Sequence, residues 1–248
     1  MATRCSQHRA KLVDCLQHGL GSGSELLLVE GDSALHSVVA VRDERCQAVL
    51  PLQGKPMNAW TAAQAKVARH VLFCQLADAL GRAGPASLDA DSRERLRFDR
   101  IALLFDPDAD GIHIGALMLL YFQRWLPGLI EAGRVWMVRA PMFELVPQAQ
   151  AADSDAAAGM VRHAYNPTEC RALAEAMRNA DGGTVVRVRA FRGLGSFAPE
   201  VLRSLCVAPA TRVAHAVGAR DVQAVIDVFG GKASTANRGS ARSPAASA

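Results

Sequence analysis

Ile101-Ala-Leu-Leu-Phe-Asp106-Pro-Asp108-Ala-Asp110-Gly111-Ile-His113-Ile114 is the stretch whose reading decides the fold. Ile101 to Phe105 is a short apolar run of the kind a strand covered on both faces requires. It ends in carboxylates at every second position, Asp106, Asp108 and Asp110. Gly111 follows, and then an apolar stretch from Ile112 to Leu126 that reads as a helix packed on a sheet. Like charges so close together repel one another. A divalent cation reverses that cost, because carboxylate oxygens are the ligands that Mg²⁺ prefers. For an isolated Asp-x-Asp, a solvated acidic turn is the simpler reading.

A second stretch upstream changes the balance. Leu26-Leu-Leu-Val29-Glu30-Gly31-Asp32-Ser33-Ala34 repeats the grammar: an apolar strand, an acid at its carboxyl end, a glycine turn, then small residues opening a helix. Open α/β sheets collect functional groups beyond the carboxyl ends of their strands. If the two strands are parallel neighbours, Glu30 meets Asp106 and Asp108 at one edge. One glutamate and an Asp-x-Asp pair suit Mg²⁺-assisted phosphoryl transfer, with the glutamate free for proton transfer.

With these two stretches, residues 25–147 resemble the TOPRIM domain of the B subunit of bacterial type IIA topoisomerases, the gyrase and topoisomerase IV group. Further matching pieces are Gln47-Ala-Val-Leu-Pro-Leu-Gln-Gly54-Lys55, Ala140-Pro-Met-Phe143, and Phe191-Arg192-Gly193-Leu194-Gly195, with Pro199-Glu200 and Thr211-Arg212 beyond. The resemblance implies an α/β fold, a TOPRIM (Rossmann-like) mostly parallel sheet flanked by helices, with a small α+β C-terminal appendage. It implies Glu30, Asp106 and Asp108 as catalytic, and the same three with Asp110 as ligands of Mg²⁺, or alternatively Mn²⁺. It assigns Lys55, Asn58, His113 and Arg192 to DNA. The implied activity is that of an isomerase subunit: it assists reversible double-strand cleavage by a tyrosine on a partner A-type subunit, in a hetero-oligomer on double-stranded DNA. The family's ATPase and transducer domains have no counterpart here, and no nucleotide-binding motif is present.

The chain departs from the family at several places. Leu35-His36 stands where two glycines are usual, and Val38 to Val41 replaces a stretch that carries a lysine. Gly115 replaces a basic residue, and Ser196-Phe197 replace an acid and a methionine. These departures support a second reading, a non-catalytic DNA- or partner-binding module derived from such a subunit. Retention of the clustered acids speaks for the catalytic one. A stand-alone TOPRIM nuclease or primase-like enzyme shares the same acid logic but leaves the Gly-Leu-Gly segment unexplained.

Composition agrees with a globular domain. The chain has 248 residues, half of them hydrophobic, and a mild net charge of +4. No apolar run is long enough to span a membrane, and the N-terminus lacks a signal-peptide core, so a cytoplasmic location is expected. The six cysteines form no Cys-x-x-Cys. Cys5-x-x-His8 and Cys15-x-x-His18 make a repeated pair, readable as a zinc site or as a polar lead-in with incidental Cys and His.

In order, residues 1–24 are a polar lead-in ending in a Gly/Ser joint and 25–147 the TOPRIM domain. Residues 148–166 form a linker, 167–230 the C-terminal segment and 231–248 a disordered basic tail. Within them, one helix is expected over 59–80, and strands 135–138 and 142–146 are expected to close the main sheet. A helix over 167–178 is expected to be capped by Thr168. Neither tyrosine, Tyr121 or Tyr165, stands in a nucleophile context.

Overall fold

A computed structural model describes residues 11–81, 96–148, 160–180 and 185–230. Five strands form the main sheet: β1 (Glu25–Glu30), β2 (Gln47–Leu52), β3 (Arg100–Leu103), β4 (Val135–Val138) and β8 (Ala214–Ala216), in the order β2-β1-β3-β4-β8. The first four are mutually parallel and β8 is antiparallel at the edge. Strand β1 sits between β2 and β3, with Glu30 opposite Leu52 and Leu28 opposite Leu103.

Successive side chains of a strand point to opposite faces, and both faces here are covered. Leu26, Leu28, Leu50, Ile101 and Leu103 enter one core, with α3 (Val71–Ala79), α4 (Ala109–Trp125) and α8 (Ala219–Phe229). Leu27, Val29, Val49, Ala102 and Leu104 enter the other, with α1 (Gly31–Val39) and the segment from Phe191 to Val207. Burial on both faces explains why these strands read as unbroken apolar runs. Tyr121 is fully buried and stacks on Phe73, with ring centroids 4.2 Å apart.

A second, antiparallel sheet has the order β6-β5-β7, from β5 (Phe143–Gln148), β6 (Arg162–Ala164) and β7 (Val185–Ala190). Helix α6 (Pro167–Ala180) covers one of its faces through Leu145, Ala164, Cys170 and Ala174. Strand β5 therefore belongs to the appendage and does not close the main sheet, which ends instead in β8. Strand β6 lies in the stretch read as a linker.

Other expectations are corrected locally. The helix expected over 59–80 is two, α2 (Gln64–Val67) and α3, preceded by a turn. Arg124 Nη1 takes the carbonyls of Ala59, Trp60 and Ala62, and Trp125 Nε1 donates to Ala59 O at 3.1 Å. Those acceptors are thus spent on side chains from α4 and not on a helix ladder. Helix α4 begins at Ala109, three residues before the apolar run, because Asp108 caps it by accepting from Gly111 N at 2.8 Å. Asn166, and not Thr168, accepts the Glu169 N–H at the start of α6.

The lead-in is fastened to the domain. Val13 bridges Val49, and the N–H groups of Gly21 and Gly23 donate to the Asp99 carboxylate at 2.6 and 2.5 Å. Glycine is needed there for positive φ, 82° and 72°. The Gly/Ser joint is therefore an anion-holding turn. Helix α5 (Pro127–Glu131) leads into β4, and α7 (Pro199–Leu202) runs into a π-helical turn over Arg203–Val207. Residues 1–10, including Cys5 and His8, and the tail 231–248 lie outside the described residues. Among the described residues, no helix is long and apolar enough to cross a membrane.

Candidate metal and DNA site

Parallel pairing of β1 with β3 brings the two acidic turns to one sheet edge. Glu30 ends β1 and precedes Gly31, whose φ of 69° turns the chain sharply into α1. Asp106 follows β3 and is half-buried, whereas Asp108 and Asp110 are exposed. Gly111 is required by space: a Cβ there would lie 2.0 Å from the Asp106 carbonyl oxygen.

The electrostatics record the convergence. Burial raises the Glu30 pKa, and the negative charges of Asp106, Asp108 and Asp110 raise it further, against a smaller lowering by Lys55. Burial also raises Asp106, with Asp108 adding to the rise and the Leu194 N–H opposing it. Glu30 Oε2 is buried with no hydrogen-bond partner. A buried carboxylate oxygen facing other acids is costly without a cation. Oxygen donors, mutual repulsion and an unpartnered oxygen together fit a hard divalent ion such as Mg²⁺.

Lys55 follows Gly54, which has a φ of 83°, and reaches back to Asp110 at 2.7 Å. That contact lowers the Asp110 pKa. Lys11 and Gln53 meet Asp32 at 2.6 and 3.5 Å, adding a second lysine beside the first acidic turn.

Sequence reasoning noticed the Gly193-Leu194-Gly195 segment but not its task. Leu194 N donates to Asp106 Oδ1 at 2.8 Å. Gly193 has a φ of 128°, and a Cβ on it would lie 2.5 Å from Asp106 Oδ2. Gly195 packs against Ser33 of α1, where a Cβ would come within 3.1 Å of Oγ. Ser196 Oγ staples the loop by donating to Gly193 O and accepting from Arg192 N. The loop thus braces both acidic turns, and the paired glycines were the signal for it. Arg192 is exposed beside it.

Two of the residues assigned to DNA hold α8 instead of standing free. Asn58 Nδ2 donates to Phe229 O at 2.9 Å, and the His113 ring stacks on Phe229 with centroids 5.3 Å apart. Between α4, β4 and α8 lies a hollow of about 400 Å³, bordered by Asp106, Gly115, Met137 and Phe229. Gly115 leaves the space that a longer side chain would occupy.

Among the described residues, one set of three potential ligands has all its donor atoms within 4.8 Å of one another: Asp14, Cys15 and His18. The carboxylates at the sheet edge are not drawn that close. Arg97 Nη2 already bonds Asp14 Oδ2 and lies 2.7 Å from His18 Nε2, so a guanidinium supplies the positive charge at the first set.

The comparisons with known proteins agree with the fold. The Toprim domain family matches residues 25–140. The chain is 33% identical over 204 residues to the B subunit of DNA topoisomerase 4 from Haemophilus influenzae, covering 82% of this chain and 29% of that protein. It is 32% identical over 223 residues to the B subunit of DNA gyrase from Thermus thermophilus, covering 88% of this chain and 32% of that protein. Against the B subunit of DNA topoisomerase 4 from Caulobacter vibrioides the identity is 39% over 145 residues, 58% of this chain and 20% of that one. The chain therefore spans about a third or less of the length of these relatives. Residues 25–140 form a Toprim domain, and over most of its length the chain is similar to part of the B subunits of bacterial DNA topoisomerase 4 and DNA gyrase.

Proposed function

We propose that the chain supplies the metal-binding half of a type IIA topoisomerase cleavage centre. Glu30, Asp106 and Asp108 hold Mg²⁺, with Asp110 in support, and Lys55 and Arg192 contact phosphates of double-stranded DNA. The observation that carries this reading is the buried, unpartnered Oε2 of Glu30 beside the Asp106–Asp110 turn. When bound, Mg²⁺ would neutralise charge on the scissile phosphate.

The remaining roles belong to the chain. Glu30, with its raised pKa, is suited to give and take the proton at the leaving oxygen. The Leu194 N–H fixes one oxygen of Asp106 and leaves the other for a ligand. Lys55, on its glycine turn, is a mobile charge able to exchange Asp110 for a phosphate. Asn58 and His113 enter only through α8, which they fasten. The attacking tyrosine comes from an A-type partner, since Tyr121 is fully buried in the core and the half-buried Tyr165 ring is packed under the Arg139 guanidinium.

The test is reconstitution with an A-type subunit, Mg²⁺ and supercoiled DNA. Cleaved, protein-linked DNA is expected with the wild type and a large loss with Glu30→Gln. Absence of Mg²⁺-dependent cleavage, or cleavage indifferent to Glu30→Gln, would sink the reading.

A further inference from the structure

The antiparallel sheet of the appendage has two unlike faces. Register sets Phe143, Leu145, Pro147, Val186, Val188 and Ala164 on one side, where α6 covers Phe143, Leu145, Ala164 and Val186 and leaves Val188 exposed. The alternate residues form the other. Across it run His163, Glu144 and Arg189 in one row, with Arg187 opposite Val146 in the next. Half-buried Glu144 is the one acid in these rows. It lies 3.8 Å from His163 Nε2 and 3.9 Å from Arg189 Nη1. Burial lowers the His163 pKa, so arginine carries the charge of this face. Arg187 is exposed and, among the described residues, has no ion-pair partner. Arg189 is 54% exposed and keeps donors free beyond its bond to Ser196 O.

A polar outer face is ordinary for an antiparallel sheet. Two features separate this one from an ordinary solvated face. Its exposed charges, the guanidiniums of Arg187 and Arg189, are both positive, and it is continuous with the candidate site. Strand β7 runs directly into Arg192, Gly193 and Leu194, and Leu194 N holds Asp106. The strand therefore radiates from the carboxylates, carrying Arg187 and Arg189 two residues apart, about 6.8 Å along an extended chain.

We propose that the uncovered face of β7 is a second phosphate-binding track, on which Arg187 and Arg189 bind the DNA backbone beyond the segment held at the carboxylates. It rests on the reading of double-stranded DNA as the substrate. Each strand of a duplex presents one phosphate per about 3.4 Å of rise, so both guanidiniums find separate phosphates. Such contacts add affinity and orientation without sequence preference.

The experiment is the salt dependence of binding to a short linear duplex, followed by fluorescence anisotropy with the full chain. Each lost phosphate contact should flatten the plot of log K against log salt by roughly 0.9. Arg187→Gln is expected to lose about one such unit, Arg187→Gln with Arg189→Gln about two, and Arg187→Lys almost none. Arg189 also ties Glu144 and Ser196, so if the double variant melts early, the single Arg187 variants decide. Wild-type binding with the same slope in Arg187→Gln would overturn the track and leave the proposed function standing. No wild-type duplex binding at any salt would overturn both. Arg187-dependent binding to polyglutamate, with none to the duplex, would mark an acidic protein as the partner and overturn the proposal.

Discussion

The Leu194 amide donates a 2.8 Å hydrogen bond to Asp106 Oδ1, across 88 residues of chain. It ties the C-terminal appendage to the acidic turn of the main sheet. Gly193 makes the approach possible, because any Cβ would strike the other Asp106 oxygen at 2.5 Å. Gly193→Ala should therefore displace either the loop or the carboxylate. A hydrogen bond to a charged acceptor contributes about 1.5–3 kcal/mol. Mg²⁺ affinity measured by calorimetry should fall roughly ten- to a hundredfold, with the fold retained by circular dichroism. An unchanged affinity would show that the loop does not brace the site.

Glu30 ought to trade stability for metal binding. Its folded-state pKa lies above the unfolded value, as does that of Asp106, with burial the main cause in both. As pH rises from the ordinary carboxylate range through the raised values, the folded protein still holds protons that the unfolded chain has lost. Metal-free stability therefore falls across that window. Mg²⁺ requires the ionised forms, so its stabilising effect should grow over the same window and binding should release protons. Near neutral pH, Glu30→Gln removes the repulsion. Its metal-free melting temperature should rise by roughly 2–4 °C, the shift expected for about 1 kcal/mol in a chain of this size. Its Mg²⁺-dependent shift should disappear. A metal-free variant no more stable than the wild type would contradict this account.

The fold and the acids were legible because local rules and tertiary packing agree there. Leu26 to Val29 and Ile101 to Phe105 are unbroken apolar runs buried on both faces, and each ends in an acid followed within a few residues by a glycine. What misled were side chains acting over long distances. Nothing near Ala59 announces that Arg124 will take its carbonyl and interrupt a helix. Nothing near Gly21 announces Asp99. Likewise the periodicity of Met142 to Val146 shows a strand, but not which sheet receives it, since its partners β6 and β7 come later in the chain. The role of Leu194 was invisible because a backbone N–H leaves no mark in a sequence beyond the glycines that let it approach.

The buried pair of Glu25 and Arg212 should be a principal fastening of the C-terminal segment. Arg212 Nη2 and Nη1 reach Glu25 Oε1 and Oε2 at 2.7 and 3.0 Å, Gln47 Nε2 donates to Oε2 at 3.0 Å, and both charged side chains are almost wholly buried. Removing Arg212 leaves the buried Glu25 carboxylate only Gln47 and the half-exposed Arg100 guanidinium at 3.6 Å, so the cost should lie at or below that of a fully broken buried pair, about 3–5 kcal/mol. Arg212→Ala should lower the urea midpoint accordingly. Arg212→Ala with Glu25→Gln should recover part of the loss, because no unpaired charge is left. A single variant as stable as the wild type would show that the pair adds little.

Asn58 and His113 are expected to affect DNA through α8, and two measurements separate that from direct contact. Asn58 bonds the carbonyl of Phe229 while His113 stacks on its ring, so both hold the last turn of the helix. A net hydrogen bond contributes about 1 kcal/mol and a ring pair about as much. Asn58→Ala and His113→Ala should each speed amide hydrogen exchange in α8 by roughly fivefold or more, with or without DNA. Any loss of duplex affinity should scale with that loosening, and the salt slope should stay as in the wild type, because neither side chain neutralises a phosphate. If instead His113→Ala leaves α8 exchange unchanged while the slope falls by about one unit, the imidazole is a phosphate ligand and the helix-fastening account is wrong for it.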